Sequence, residues 1–209
     1  MRSYGQYCAL AKALDVVGDR WTLLIVRELA VQGPSRYTDL RHGLPGIATN
    51  MLVDRLREME ENGIVQREDA PPPVATALFS LTERGKELMP VLFALGRWGV
   101  PIMGERGDDE WRGYWLKYPL EELFADAEPD QPPVTLELHT GDGPVTVETG
   151  DGRIRVQPGA AADPDAVVSG QPEDVIELLR GATDVRAARR QGVRVEGDVK
   201  ALARVKPRD

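Results

Sequence analysis

The apolar residues of this 209-residue chain change their spacing once, and the change restricts it to two unlike parts. Up to about Gly104 they recur every three or four residues, the period of a helix with one buried face. Leu10, Leu14 and Val17 set the first such stretch. Trp21, Leu24, Ile25 and Leu29 set the second, which Gly33-Pro34 stops. Tyr37, Leu40 and Leu44 mark a short helix ended by Pro45-Gly46. Ile47, Leu52, Leu56 and Met59 mark the next, ended by Asn62-Gly63, residues that tolerate left-handed backbone. Ile64 to Glu68 and Ala77 to Leu81 read as strands around the stiff turn Asp69-Ala-Pro-Pro-Pro. Thr82 with Gly85 then opens an amphipathic helix carrying Leu88, Val91, Leu92, Leu95 and Trp98.

From Val134 the period becomes two. Leu136/Leu138, Val145/Val147, Ile154/Val156 and Val193/Val195 alternate with polar residues, as half-buried strands do. A helix follows Pro172 and carries Val175, Ile176, Leu178 and Leu179; another follows Asp198, an expected N-cap, and carries Leu202 and Val205. The expected fold is therefore α+β, with a helical domain over residues 1–104 and a sheet-and-helix domain over 134–209. Residues 105–133 read as a bridge: Trp111, Tyr114, Trp115 and Tyr118 fall at helical spacing, and a Pro-rich loop follows. Trp111 and Trp115 are candidates for an aromatic face packed on one domain, or for a lid over a ligand pocket or a dimer contact.

A short helix, a tight turn, a second helix and a two-stranded wing make a winged helix-turn-helix, whose second helix enters the major groove of double-stranded DNA. Turning Leu52, Leu56 and Met59 inward turns Asn50, Asp54 and Arg57 outward. Asn50 suits an adenine edge, and Arg57 a guanine or a phosphate. Thr49 opens the helix, where free backbone N–H groups favour phosphate. Arg36 and Arg41 flank the preceding helix as backbone-contact candidates. Glu58 and Glu61 also face outward, in later turns expected to angle away from the duplex.

The net charge of −8 fits this assignment once divided. Residues 1–104 hold 12 Lys/Arg and 12 Asp/Glu, whereas residues 105–209 hold 14 and 22. The acidic half is expected not to touch phosphate. The single cysteine, Cys8, permits no internal disulfide and suits a reducing cytoplasm. Lys12, Asp15 and Asp19 break the first apolar stretch, against a secretory signal. No run of about eighteen apolar residues offers a membrane span.

The fragments GDRWTLLIVREL, RYTDLRHGLPGI, MLVDRLREMEENGIVQRE and LTERGKEL resemble successive signature blocks of the HxlR-type winged-helix regulators, relatives of the MarR regulators. The resemblance covers residues 7 to about 99. It implies a homodimer on an inverted repeat, paired through the first helix and the helix after the wing. It also marks Arg36, Thr49, Asn50, Arg55 and Arg57 as DNA-facing, although the helical count puts Arg55 on the flank, where a structural salt bridge is the alternative. Family members often carry a basic residue at the wing tip; here the wing reads EDAPPPVATAL, and only Arg67 at its base is positive. Cys8 stands where the family often has a cysteine that in some members senses oxidants. A redox-sensing regulator with a structural C-terminal domain is thus the alternative reading.

The end of the chain, SGQPEDVIELLRG and then GVRVEGDVKALARV, resembles the sterol carrier protein type two fold over residues 134 to 206. That resemblance implies an apolar tunnel for a lipid-like effector; a solid core would produce the same strand pattern. Enzyme chemistry is not expected. His42 and His139 are the only histidines, Cys8 has no triad partner at a telling spacing, and neither a dinucleotide-binding nor a phosphate-binding glycine loop is present. The two TGDG segments at Thr140 and Thr149 read as turns between strands. Neither a cofactor nor a metal cluster is expected.

Overall fold

A computed structural model describes residues 3–69 and 76–208. The chain separates into two compact units, the first ending at Gly107 and the second running over Asp108–Asp209.

The first unit contains α1 (Ala9–Val17), α2 (Thr22–Gln32), β1 (Ser35–Arg36), α3 (Tyr37–Gly43), α4 (Thr49–Glu61), β2 (Val65–Asp69), β3 (Ala77–Leu81), α5 (Glu83–Lys86) and α6 (Met89–Gly99). Its antiparallel sheet has the order β1-β3-β2, with Val65 opposite Leu81 and Ser35 opposite Phe79. The expected stops hold: Gly33 and Gly63 adopt φ of 73° and 67°, where a Cβ would be strained. Ile25, Val26 and Leu29 of α2 meet Leu40 of α3, the following Leu44, and Leu52, Leu56 and Met59 of α4. Each such burial contributes about 1.5–3 kcal/mol. One charge lies inside: Glu28 is fully buried, yet it accepts from Arg27 (2.7 and 3.0 Å) and Gln32 (2.7 Å). A buried carboxylate supplied this way avoids most of its desolvation penalty.

Two sequence expectations are corrected here. Ile47 is a buried loop residue before α4 rather than part of it. The helix after the wing is two helices, because Pro90 lacks the N–H that would continue the ladder and its ring crowds the preceding turn. The chain tightens through Leu88 N–H to the Gly85 carbonyl (3.2 Å) and restarts as α6, followed by a 3-10 turn at Val100–Ile102. The expected wing-tip turn, residues 70–75, lies outside the described residues.

The second unit contains a 3-10 turn (Gly113–Leu116), α7 (Lys117–Leu123), β4 (Phe124–Asp126), β5 (Thr135–His139), β6 (Pro144–Gly150), β7 (Arg153–Pro158), β8 (Ala166–Ser169), α8 (Pro172–Leu179), α9 (Val185–Arg190), β9 (Arg194–Gly197), a 3-10 turn (Val199–Arg204) and β10 (Val205–Pro207). The five-stranded sheet runs β7-β6-β5-β8-β9, with β5 and β8 parallel and the other pairs antiparallel. A separate ribbon pairs β4 with β10. The alternating residues Leu136, Leu138, Val145, Val147, Ile154 and Val156 lie in one buried cluster with Val175, Leu179, Ala188, Leu202 and Val205. Both TGDG segments fall at the turns that join β5 to β6 and β6 to β7.

The segment expected as a bridge divides at Gly107, and its larger part belongs to this second unit. Leu116, Leu120 and Phe124 are core residues, and Trp111 and Tyr114 pack against the same cluster. Side chains of α7 also close the edge strand β7. Glu121 accepts from Val156 N–H (2.8 Å), and Lys117 donates to the Val156 carbonyl (2.6 Å). An edge strand with its polar groups used in this way offers less of a template to other chains. Asp198 caps the final 3-10 turn through Lys200 N–H (2.9 Å), as expected, but Val205 begins a strand rather than lying on a helix. Among the described residues no helix is long and apolar enough to cross a membrane, and no group of three or more His, Cys, Asp or Glu residues is placed to hold a metal ion.

Candidate nucleic-acid interface

The α4 helix carries most of the candidate DNA-facing residues. Its buried residues are Leu52, Leu56 and Met59, as the period requires, and Thr49, Asn50, Asp54 and Arg57 are exposed on the other side. The helix is fixed to α3 by Tyr37, whose hydroxyl donates to the Thr49 carbonyl (2.9 Å). Asn50 Oδ1 accepts from Met51 N–H (3.0 Å), so a two-bond contact with adenine requires the amide to release that group.

The charged residues of α4 differ in their freedom. Arg57 reaches Asp54 (3.8 Å) and Glu61 (3.9 Å) only at long range, and all three are exposed. Such pairs contribute about 0–1 kcal/mol and yield readily to a phosphate. Arg55 is engaged: it pairs with Glu58 (2.6 Å) and Asp19 (3.3 Å), which ties α4 to the turn before α2. The flank position in the helical count anticipated that bridge. Glu58, expected to face outward, is half-buried in the same pair. Residues 54–61 carry four acids against two arginines, so negative charge gathers in the later turns of α4 and leaves its first turn without any.

Around α4 lie the other candidates. Arg36 precedes α3 and is exposed; its backbone N–H donates to Asp39 (3.1 Å), and among the described residues its guanidinium has no ion pair. Arg41 is exposed on α3. Arg67, on β2, reaches Asp69 at 3.6 Å. Sequence reasoning missed Met51 and Val53, exposed apolar side chains beside Asn50 that suit a thymine methyl. Their only signal was that they break the polar outer face of an otherwise regular helix.

The remaining candidates lie elsewhere. Cys8 is exposed and takes the N-cap position of α1, while the nearby Lys12 ammonium is directed to Asp15 (3.6 Å). Trp111 and Trp115 meet edge to face with centroids 6.1 Å apart, and the Trp111 indole N–H lies 3.5 Å from Thr140 Oγ1. On the outer face of the second sheet, His139 lies 2.6 Å from Glu137, whose other oxygen accepts from Ala161 N–H (2.7 Å). The His139 hydrogen bond first, and then Ala161, hold the Glu137 carboxyl below its ordinary range.

A helix pair with an exposed polar second helix, followed by a two-stranded wing, defines a winged helix-turn-helix DNA-binding protein. The comparisons agree: residues 16–106 match the HxlR-like helix-turn-helix family, and residues 131–207 match the SCP-2 sterol transfer family. An uncharacterised HTH-type transcriptional regulator of Synechocystis is 37% identical over 95 residues, 46% of this chain and 70% of that protein. YvaP of Bacillus subtilis, also an uncharacterised HTH-type transcriptional regulator, is 36% identical over 89 residues, 43% of this chain and 82% of its own. Among solved structures, the reduced form of YodB from B. subtilis shares 33% identity, covers 49% of this chain and 100% of that one, and superposes with a TM-score of 0.41. The chain belongs to the HxlR-like helix-turn-helix family and is a transcriptional regulator.

Proposed function

We propose that the protein acts as a homodimer on an inverted repeat, reading each half-site with the first turn of α4. The observation that carries this reading is an uncovered apolar stripe on the first unit. Val91, Leu95 and Trp98 recur at i, i+4 and i+7 along α6 and are 49%, 50% and 70% exposed. Leu10 and Leu14 repeat the pattern on α1. Leu88 and Leu92, by contrast, turn inward onto the core. A second copy covering these stripes removes their apolar surface from water, and two-fold symmetry then sets two copies of α4 about one DNA turn, roughly 34 Å, apart.

The test uses an inverted repeat selected by the full chain from random duplexes. Asn50→Ala should weaken binding to that repeat by about 1–3 kcal/mol and binding to random DNA far less, as a base contact does. Arg36→Ala should weaken both and lower the salt slope by about 1. Leu95→Glu should sediment as a monomer and lose affinity by about 10²-fold or more, since the second half-site is no longer joined to the first. A wild-type chain that sediments as a monomer at micromolar concentration overturns the reading.

The second unit is assigned the effector. Its match to the SCP-2 sterol transfer family supports an apolar, lipid-like ligand. Such a ligand regulates only if it binds the DNA-competent and incompetent states differently. The full chain should take up a fluorescent fatty-acid analogue, and fatty acid that displaces it should shift operator affinity by about 1–3 kcal/mol. No uptake would make the core of this unit a solid one. The alternative, sensing through Cys8, rests on the exposure of its thiol, whereas Lys12, the nearby cation, is turned to Asp15. We therefore favour the second unit as the regulatory one.

A further inference from the structure

The exposed residues of α4 divide by chemistry along the helix. Asp54, Arg57, Glu60 and Glu61 are charged, whereas Thr49, Asn50, Met51 and Val53, all nearer its start, carry no charge. Met51 and Val53 are apolar, yet they are 39% and 51% exposed. They flank Leu52, which is fully buried and fixes the backbone between them. With Leu52 inward, the helical step of about 100° sends Met51 to one side of Asn50 and Val53 to the other. The bond from the Tyr37 hydroxyl to the Thr49 carbonyl (2.9 Å) holds this end of the helix against α3.

The fold does not require either side chain. Neither belongs to the buried cluster of the first unit or packs against it. A β-branched residue is a poorer helix former than alanine at an exposed position, so helix stability does not call for Val53. The apolar stripes assigned to a second copy lie on other elements, α1 and α6.

Base edges decide what such a surface can read. In the major groove guanine presents two acceptors and calls for arginine or lysine, and cytosine presents an amino donor and calls for a carboxylate. Residues 48–53 supply neither. Adenine suits the amide of Asn50, and thymine alone presents a methyl group, which apolar side chains cover. A helix with its side chains is about 10–12 Å across and the groove about 12 Å wide, so both flanks of the entering turns lie within it.

We propose that Met51 and Val53 read thymine, each packing on a 5-methyl group beside the adenine taken by Asn50, so that the half-site centres on A·T pairs. The inference rests on the proposed reading of each half-site by the start of α4, and deepens it by naming the base. Taking one methyl group out of water raises affinity about fourfold. Two-fold symmetry repeats each contact in the other half-site.

The test replaces each thymine of the selected inverted repeat in turn by deoxyuridine, at the matching position of both half-sites. Deoxyuridine pairs with adenine as thymine does and lacks only the methyl group. The full wild-type chain should lose about 15-fold in affinity at each of two positions, the product of two such contacts, and little elsewhere. Met51→Ala should abolish the loss at one position and keep it at the other, and Val53→Ala the reverse, as coupled pairs do. Both variants should unfold and sediment as wild type does. The deoxyuridine series on the wild-type chain changes only the DNA, so it stands whatever a variant does to the fold. Half-sites with no thymine whose methyl group matters overturn the proposal and leave the operator reading standing. A deoxyuridine loss that persists in both alanine variants also overturns it, since the methyl group then acts through duplex shape or another side chain. An alanine variant that dissociates where wild type does not overturns it in favour of a subunit contact. If the full chain selects no repeat, the operator reading fails, and this proposal with it.

Discussion

Gly85→Ala should unfold the winged-helix unit more readily than any single change to its surface, by about 3 kcal/mol. Gly85 lies in the first turn of α5, where a β-carbon would sit 2.1 Å from the carbonyl oxygen of Ile64 and 3.2 Å from a methyl of Leu81. The backbone oxygen cannot step aside, because it already accepts from Thr82 N–H (3.0 Å). Thr82 draws the same two segments together: its hydroxyl donates to the Gly63 carbonyl (2.6 Å) and accepts from Gly85 N–H (3.0 Å). Admitting a methyl means opening this clamp, and with it the junction where the end of α4 enters β2. Thermal unfolding of the first unit should fall by roughly 15 °C, since 1 kcal/mol shifts a domain of this size by about 4–8 °C. Thr82→Ala, which removes only the cap, should cost about 1 kcal/mol. Equal losses in the two variants would show that space at Gly85 is not the constraint.

How much of this was legible in the sequence differs between the two units for a physical reason. In the first unit the contacts that define each helix are local, so the spacing of Leu52, Leu56 and Met59 was enough to orient α4 and expose Asn50, Asp54 and Arg57. Gly63 and Asn62 marked its end for the same reason. The break before α6 was written at Pro90, but the apolar period running through Leu88, Val91 and Leu92 masked it. Arg55 shows the limit of helical counting: its flank position was readable, whereas its partner Asp19, on another element, was not.

In the second unit the missed elements are those whose partners lie far away in sequence. β8 pairs in parallel with β5, about thirty residues earlier, and nothing in Ala166–Ser169 names that partner. β4 and β10 pair across nearly the whole unit, and three-residue strands leave no alternation to read. α9 went unseen because only Val185 and Ala188 offer an inward face among its arginines. The charge sum of this half likewise averaged over those arginines. It supported an expectation that no phosphate contact lies there.

The ion pair between Asp126 and Arg204, 78 residues apart, carries the other large effect. Arg204 donates through Nε (2.8 Å) and Nη2 (2.9 Å) to the two oxygens of Asp126, and through Nη1 to the Pro132 carbonyl (2.8 Å). Both side chains are closed to solvent, at 7% and 0% exposure. The pair joins β4 to the last turn before β10, where Ala127 N–H also reaches the Arg204 carbonyl (2.7 Å). Asp126→Ala should therefore destabilise the second unit by about 3–5 kcal/mol, because it leaves a guanidinium buried without its counter-charge. Asp126→Ala combined with Arg204→Met should recover much of that loss, since the buried charge goes with its partner. Acid gives an independent check. The hydrogen bonds from Arg204, more than the backbone N–H of Glu128, hold the Asp126 carboxyl below its ordinary range. A carboxyl depressed on folding adds stability that is fully present above its unfolded pKa of about 3.9 and is lost as pH falls through the folded value. The wild-type second unit should thus lose stability below about pH 4 more steeply than the double variant, which has no carboxyl to protonate there. The fluorescence of Trp111 and Trp115, both in this unit, reports the transition. Equal acid slopes, or a double variant as unstable as Asp126→Ala alone, would mean that the pair is not what joins these strands.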